Sequence, residues 1–199
     1  MRAYRNEQEV LQGARRGDDV IAAGWIGLAA TVLLAEQRDS ELRSRFSIPF
    51  IEEAKRMNQH RIALPGKEFF LEAPVHAVYP VVGGGIYRAL WYLAQDARVG
   101  LEIQLRSIPV KQHTVELCEF YRLSPYQILS GGCLLMATPH GTYLMSLLRE
   151  AGIPSAWIGN CVSGVAKRVV CGDRTTYLDR PGPDEIEKFC YCSRGDREQ

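Results

Sequence analysis

Val75-His76-Ala77-Val78-Tyr79-Pro80-Val81-Val82-Gly83-Gly84-Gly85-Ile86-Tyr87-Arg88-Ala89-Leu90-Trp91 carries a β-rich apolar run into three consecutive glycines and a helical pattern out of them. Ile86, Ala89, Leu90, Leu93, Ala94 and Ala97 fall on one face at helical spacing, with Arg88, Gln95 and Arg98 opposite. The stretch therefore reads as strand, glycine turn and helix. Gly83, Gly84 and Gly85 permit positive φ and leave the first helical amides open to a ligand, an arrangement suited to an anion or phosphate. Neither the dinucleotide fingerprint nor the phosphate loop ending in Lys-Ser/Thr is present, so a plain tight turn that starts a core helix is equally compatible with the local sequence.

Working outward, Arg15-Arg16-Gly17-Asp18-Asp19 leads into a short strand at Val20 to Ala23. Trp25 to Leu28 then opens a helix expected to run to about Arg45, with Leu42 and Phe46 turned inward. Pro49 starts a second helix with Phe50, Ile51, Ala54 and Met57 as its stripe, and Pro65 to Glu72 suggests a third. Beyond the organising helix, Leu101-Glu102-Ile103-Gln104-Leu105 alternates as a half-wet strand, followed by a helix at about Gln112 to Tyr121. Ser130, Gly131 and Gly132 make a second glycine turn, and Cys133 to Ala137 reads as a central strand covered on both faces. A helix after Pro139, a strand at Ser155 to Ile158, a hairpin of Lys167 to Cys171 with Thr175 to Leu178, and a short helix at Pro181 to Phe189 complete the pattern. Helices alternate with mainly two-strand groups, which favours a layered α+β domain with a mixed sheet over a doubly wound one.

A chain of 199 residues has room for one sizeable core, and 46% hydrophobic with 24% charged residues is ordinary globular composition. A net charge of +1 gives no electrostatic case for nucleic acid or an anionic membrane. The uncharged run Val20 to Ala35 is shorter than the about 20 residues that span a bilayer, and Gly24 and Gly27 interrupt it. The six cysteines form no small-domain framework, so a reducing, cytoplasmic setting is expected. The scattered His60, His76, His113 and His140 lack zinc spacing, and Cys190-Tyr191-Cys192 would need distant partners, so no metal site is expected. Glu116 and Glu119 lie one turn apart, as paired carboxylates or as solvated helix charges. Tyr87, Trp91 and Tyr92 flank the apolar stripe of the organising helix, as completion of a core or as an interface for a partner domain.

Taken in order, these motifs resemble the C-terminal half of proteins related to aminoimidazole ribonucleotide (AIR) synthase, especially hydrogenase maturation factors of the HypE type. The resemblance is carried by Gly84-Gly85-Ile86 through Trp91, by Ile108-Pro109-Val110-Lys111-Gln112 with Thr114-Val115-Glu116 and Cys118-Glu119-Phe120, by Pro125-Tyr126, and by Ala151-Gly152-Ile153-Pro154 with Ile158-Gly159. It covers nearly everything from Asp18 to about Phe189. It implies an AIR synthase-related C-terminal domain at residues 18–189, built as a three-layer α/β/α sandwich, after an arm or linker remnant at 1–17 and before a polar tail at 190–199.

The resemblance further implies glycine turns, at Gly83 to Gly85 and Ser130 to Gly132, that close over phosphates or nucleotide. ATP and magnesium are then expected only with a complementary N-terminal half, which the resemblance implies is separate from this chain. Expected partners are such a half or hydrogenase maturation proteins, with no nucleic acid and no membrane; the alternative is a non-catalytic binding or assembly module that keeps the fold. The chain departs from the pattern at Tyr79-Pro80, where maturation relatives often have His-Asp, and at His113, where Glu is expected. Seven residues also follow Cys192, whereas those relatives end in a cysteine.

Overall fold

Alternation along three neighbouring strands builds the molecule from its middle outward. The computed structural model describes residues 13–63, 69 and 73–189. Strand β1 (Asp19–Ala23) pairs antiparallel with β4 (Leu134–Thr138) on one side and β5 (Ser155–Val162) on the other. Val20 and Ala22 enter one core with Ala77, Tyr79, Leu135 and Ala137, while Ile21 and Ala23 enter another with Val78, Leu134 and Met136. Period-two side-chain alternation thus feeds both faces of one sheet. All five residues of β4 are buried, as the run without alternation predicts.

Among the described residues the sheet has seven strands in the order β2-β4-β1-β5-β3-β6-β7. Strand β2 is Ala77–Pro80, β3 is Gly100–Gln104, β6 is Lys167–Cys171 and β7 is Arg174–Tyr177. Only β3 and β6 run parallel; the other pairs are antiparallel. Helix α4 (Gly85–Ala97) lays Ile86, Ala89, Leu90, Leu93 and Ala94 on one face of the sheet. Helix α6 (Gly141–Glu150) sets Leu144 and Leu148 on the other. This is the three-layer α/β/α sandwich with a mixed sheet expected from the sequence.

A helical cap gathers at the end of the sheet where the glycine turns lie. It comprises α1 (Leu28–Gln37), α2 (Asp39–Leu42), α3 (Ile48–Lys55) and α5 (Gln112–Phe120), which share a core of Leu34, Leu42, Ile51, Ala54, Leu117 and Cys118. The single helix expected to reach Arg45 is broken at Arg38, which leaves helical geometry at φ −120°. The break turns Leu42 into this core, where it is fully buried, and Asp39 pairs with Lys55 of α3 and with Arg43 one turn on.

Further differences have local causes. The strand expected at Ser155 to Ile158 continues to Val162 because β3 pairs with it as far as Gly100↔Val162. Pro181 to Asp184 is not helical; helical residues begin at Glu187, because the Asp184 carboxylate turns back to accept the Ile186 amide. Residues 1–12 of the expected 1–17 arm lie outside the described residues. So do nearly all of the expected Pro65 to Glu72 helix and the 190–199 tail with Cys190 and Cys192. The end of the 1–17 segment adheres to the domain, since Ala14 is buried and Gly17 donates its amide to Cys161 O at 2.8 Å.

Candidate functional site

Two glycine turns meet where β2 ends and β4 begins. The ladder between these strands continues past them, with Val81 N–H donating to Cys133 O at 2.9 Å and Gly131 N–H to Val81 O at 3.0 Å. Gly84, Gly85, Gly131 and Gly132 all have positive φ, between 65° and 76°. A side chain on Gly85 would strike the backbone carbonyl of Tyr126, so glycine there permits close approach of two chain segments as well as the left-handed turn.

A third segment closes the first turn from inside. Asp184, 4% exposed, accepts the Gly84 amide at 2.6 Å through Oδ2, and the amides of Leu129 and Ile186 at 3.2 and 3.0 Å through Oδ1. A carboxylate thus satisfies the amide of the N-cap residue itself, at the positive end of α4. The neighbouring Glu185 accepts the Ser124 amide at 2.6 Å, and Arg88 donates Nη2–H to Gly182 O at 2.5 Å. This segment ties both turns to the loop before the second one.

In the second turn Ser130 is fully buried, and its hydroxyl accepts the Gly27 amide at 2.9 Å at the start of α1. Its carbonyl accepts the Ala29 amide. Arg61 lies over the following pair, and a Cβ at either Gly131 or Gly132 would collide with its side chain. Arg88 lies over Gly84 in the same manner. Beside the first turn a shallow hollow is lined by Tyr79, Pro80, Val82, Gly83, Arg88 and Tyr92.

The structure therefore brings Gly83 to Gly85 and Ser130 to Gly132 into one site. Tyr87, Trp91 and Tyr92 are half-buried on the same α4. Tyr87 stacks on Tyr126 with ring centroids 5.3 Å apart, and burial pushes its hydroxyl up to about 12. Trp91 meets Tyr92 edge-on and carries the Lys167 ammonium 5.4 Å above its ring. Among the described residues no group of three or more His, Cys, Asp or Glu side chains could hold a metal ion. Glu116 receives the Gln112 side-chain amide on α5.

Sequence reasoning missed Asp184, Arg61 and Arg88. For Asp184 a signal existed, since an aspartate preceded by Pro-Gly-Pro is a helix-start pattern. The two arginines gave none, because their role depends on which glycines they cross.

Glycine turns at one end of a mixed sheet, with helices on both faces, make a fold that solved HypE and thiamine-monophosphate kinase structures share. The chain's relatives and its neighbours in fold are the proteins that the sequence motifs resemble. The chain is 28% identical to carbamoyl dehydratase HypE of Rhodobacter capsulatus over 152 residues, 76% of this chain and 42% of that protein. In fold it matches the hydrogenase maturation protein HypE of E. coli with a TM-score of 0.70 at 20% identity, covering 90% of this chain and 55% of that one. It also matches thiamine-monophosphate kinase of Stenotrophomonas maltophilia, with a TM-score of 0.59 at 23% identity over 83% of this chain and 53% of that one. The chain spans about half the length of these proteins, or less. No protein-family model matches it. Among the described residues no helix is long and apolar enough to cross a membrane.

Proposed function

We propose that this chain acts as the C-terminal half of a HypE-like, ATP-dependent maturation protein, binding phosphate or nucleotide at its glycine turns and relying on a separate N-terminal half for catalysis. The observation that carries this reading is the junction of the two turns at the N-terminus of α4, on a fold shared with a HypE solved in complex with ATP. No described cluster of carboxylates suits magnesium, so a magnesium ion arriving with ATP would take its protein ligands from the complementary half. Another HypE has been solved in complex with HypF, which makes hydrogenase maturation proteins the natural class of partner.

Calorimetric titration of the purified chain with magnesium ATP, repeated with inorganic phosphate, tests the reading. Saturable heat at micromolar to low millimolar ligand, without ATP turnover, is the expected result. A folded sample that takes up neither ligand refutes phosphate binding by the isolated chain.

A second reading, a non-catalytic assembly module that retains the fold, is favoured by one observation. The amide of Gly84 is already held by Asp184. Under that reading the chain captures a partner protein and gives no heat with either ligand.

A further inference from the structure

We propose that the phosphate-holding groups of this site are the guanidinium groups of Arg61 and Arg88, and that the turn glycines serve to let these two side chains lie flat against the backbone. This rests on the reading that the site takes phosphate, and it reassigns which atoms do so.

Three of the backbone amides in the two turns are already taken. Gly84 N–H is given to Asp184, Gly85 N–H to Val82 O at 3.0 Å and Gly131 N–H to Val81 O at 3.0 Å. An anion approaching Gly84 also meets the negative charge of Asp184 directly behind it, which side-chain cations would have to offset.

The cations are in place. Arg88 crosses Gly84 so closely that a Cβ there would overlap its Nε and Cζ, and its Nη1 is 3.8 Å from the Cβ position of Gly83. The Arg61 guanidinium crosses Gly131, and its Cβ and Cγ lie 2.7 and 3.0 Å from the Cβ position of Gly132. Glycine at 84 and 131 thus lets the flexible ends of these arginines lie over the backbone, where a Cβ would push them aside.

Unlike Arg43 with Asp39 or Arg168 with Glu102, neither guanidinium is ion-paired with a carboxylate of the described residues. Among the described residues the Arg88 side chain makes one hydrogen bond, to Gly182 O, which leaves most of its five donors free. Arg61 is exposed. Guanidinium binds phosphate oxygens in a bidentate fork, with geometric specificity that an ammonium lacks. Because the turns are joined through Gly131 and Val81 and share Asp184, one arginine stands over each half of a continuous platform. That arrangement suits a ligand with more than one phosphate group.

The test is calorimetric titration of the full chain with inorganic phosphate and with pyrophosphate, for wild type, Arg61→Gln, Arg88→Gln, the double variant and Arg149→Gln on the far helix α6. Circular dichroism confirms folding, and Arg88→Lys keeps a cation if Arg88→Gln proves unstable. The expected result is tighter binding of pyrophosphate than of phosphate by wild type, a loss of at least tenfold in each single Gln variant, and binding below detection in the double variant. Arg149→Gln should match wild type, and Arg88→Lys should fall between. If wild type binds and the folded Gln variants bind equally well, the arginine assignment is overturned while phosphate binding stands. If wild type binds neither anion, both are overturned.

Discussion

Asp184 shows what one buried carboxylate can do where a helix starts on glycine. It accepts three amides from three segments, and Gly84 N–H has no other acceptor in that turn. Replacing it with Ala leaves buried donors unpaired, a loss of about 2 kcal/mol, whereas Asn restores an acceptor oxygen and should recover part of it. Urea unfolding of Asp184→Ala and Asp184→Asn measures both, and an unchanged midpoint for Ala would show that the contact carries no stability. Buried thiols make a second prediction at this scale. Burial pushes the thiols of Cys118, Cys133 and Cys161 up to about 12, well above the ordinary thiol range. Their thiolate fraction in the native state falls by about a thousandfold, so they should resist alkylation at neutral pH while half-buried Cys171 reacts. Peptide mapping after alkylation reads this out. Because the folded state favours the neutral thiol, the stability these groups add is intact below the ordinary thiol pKa and is lost as pH climbs toward 12. Urea midpoints measured from pH 8 upward should therefore fall.

At the scale of elements, helix α1 depends on a residue from the second turn. Its N-cap, Gly27, has φ 73° and no capping side chain of its own, and Ser130, 103 positions on, accepts the Gly27 amide. Ser130→Ala should lower stability by about 1 to 2 kcal/mol, seen as a lower urea midpoint. If anion binding survives in that variant, the role of Ser130 is to hold α1 and not the ligand. What was legible in the sequence follows the same logic. The β1, β2 and β4 segments declared themselves as unbroken apolar runs and α4 by its apolar periodicity, each matching its burial. The break at Arg38 did not, since a charged face and inward-facing Leu42 and Phe46 suit one long helix or two short ones. Packing against α3 decides between them, with Phe46 stacked on Phe50 at 4.7 Å. The glycine turns were legible as turns, but Arg61 and Asp184 reach them from far along the chain, and local sequence carries no record of which turn such residues meet.

For the molecule as a whole, uneven cover over the sheet sets where it is weakest. Strands β1 and β4 sit between α4 and α6 with nearly every residue buried, and the polar side chains at their ends are tied down. Asp18 accepts the Arg15 amide at 2.7 Å and His76 Nδ1–H at 3.0 Å. Asp19 accepts the Gly141 amide, Trp157 Nε1–H and the Asn160 amide at 3.0, 3.0 and 2.8 Å. At the other edge β7 pairs with β6 alone, and all four of its residues are exposed. Local opening follows buried contact, so amides in β1 and β4 should exchange only on global unfolding while those of β7 exchange by edge fraying. Hydrogen exchange followed by mass spectrometry should show peptides from 19–23 and 134–138 protected longest and those from 174–177 exchanging first. Ligand at the glycine turns should slow exchange at 182–186 and 127–131, the segments joined through Asp184, and leave β7 unchanged. Slowing of β7 instead, on addition of pyrophosphate, would place the binding site at the far edge of the sheet and remove the glycine turns from consideration.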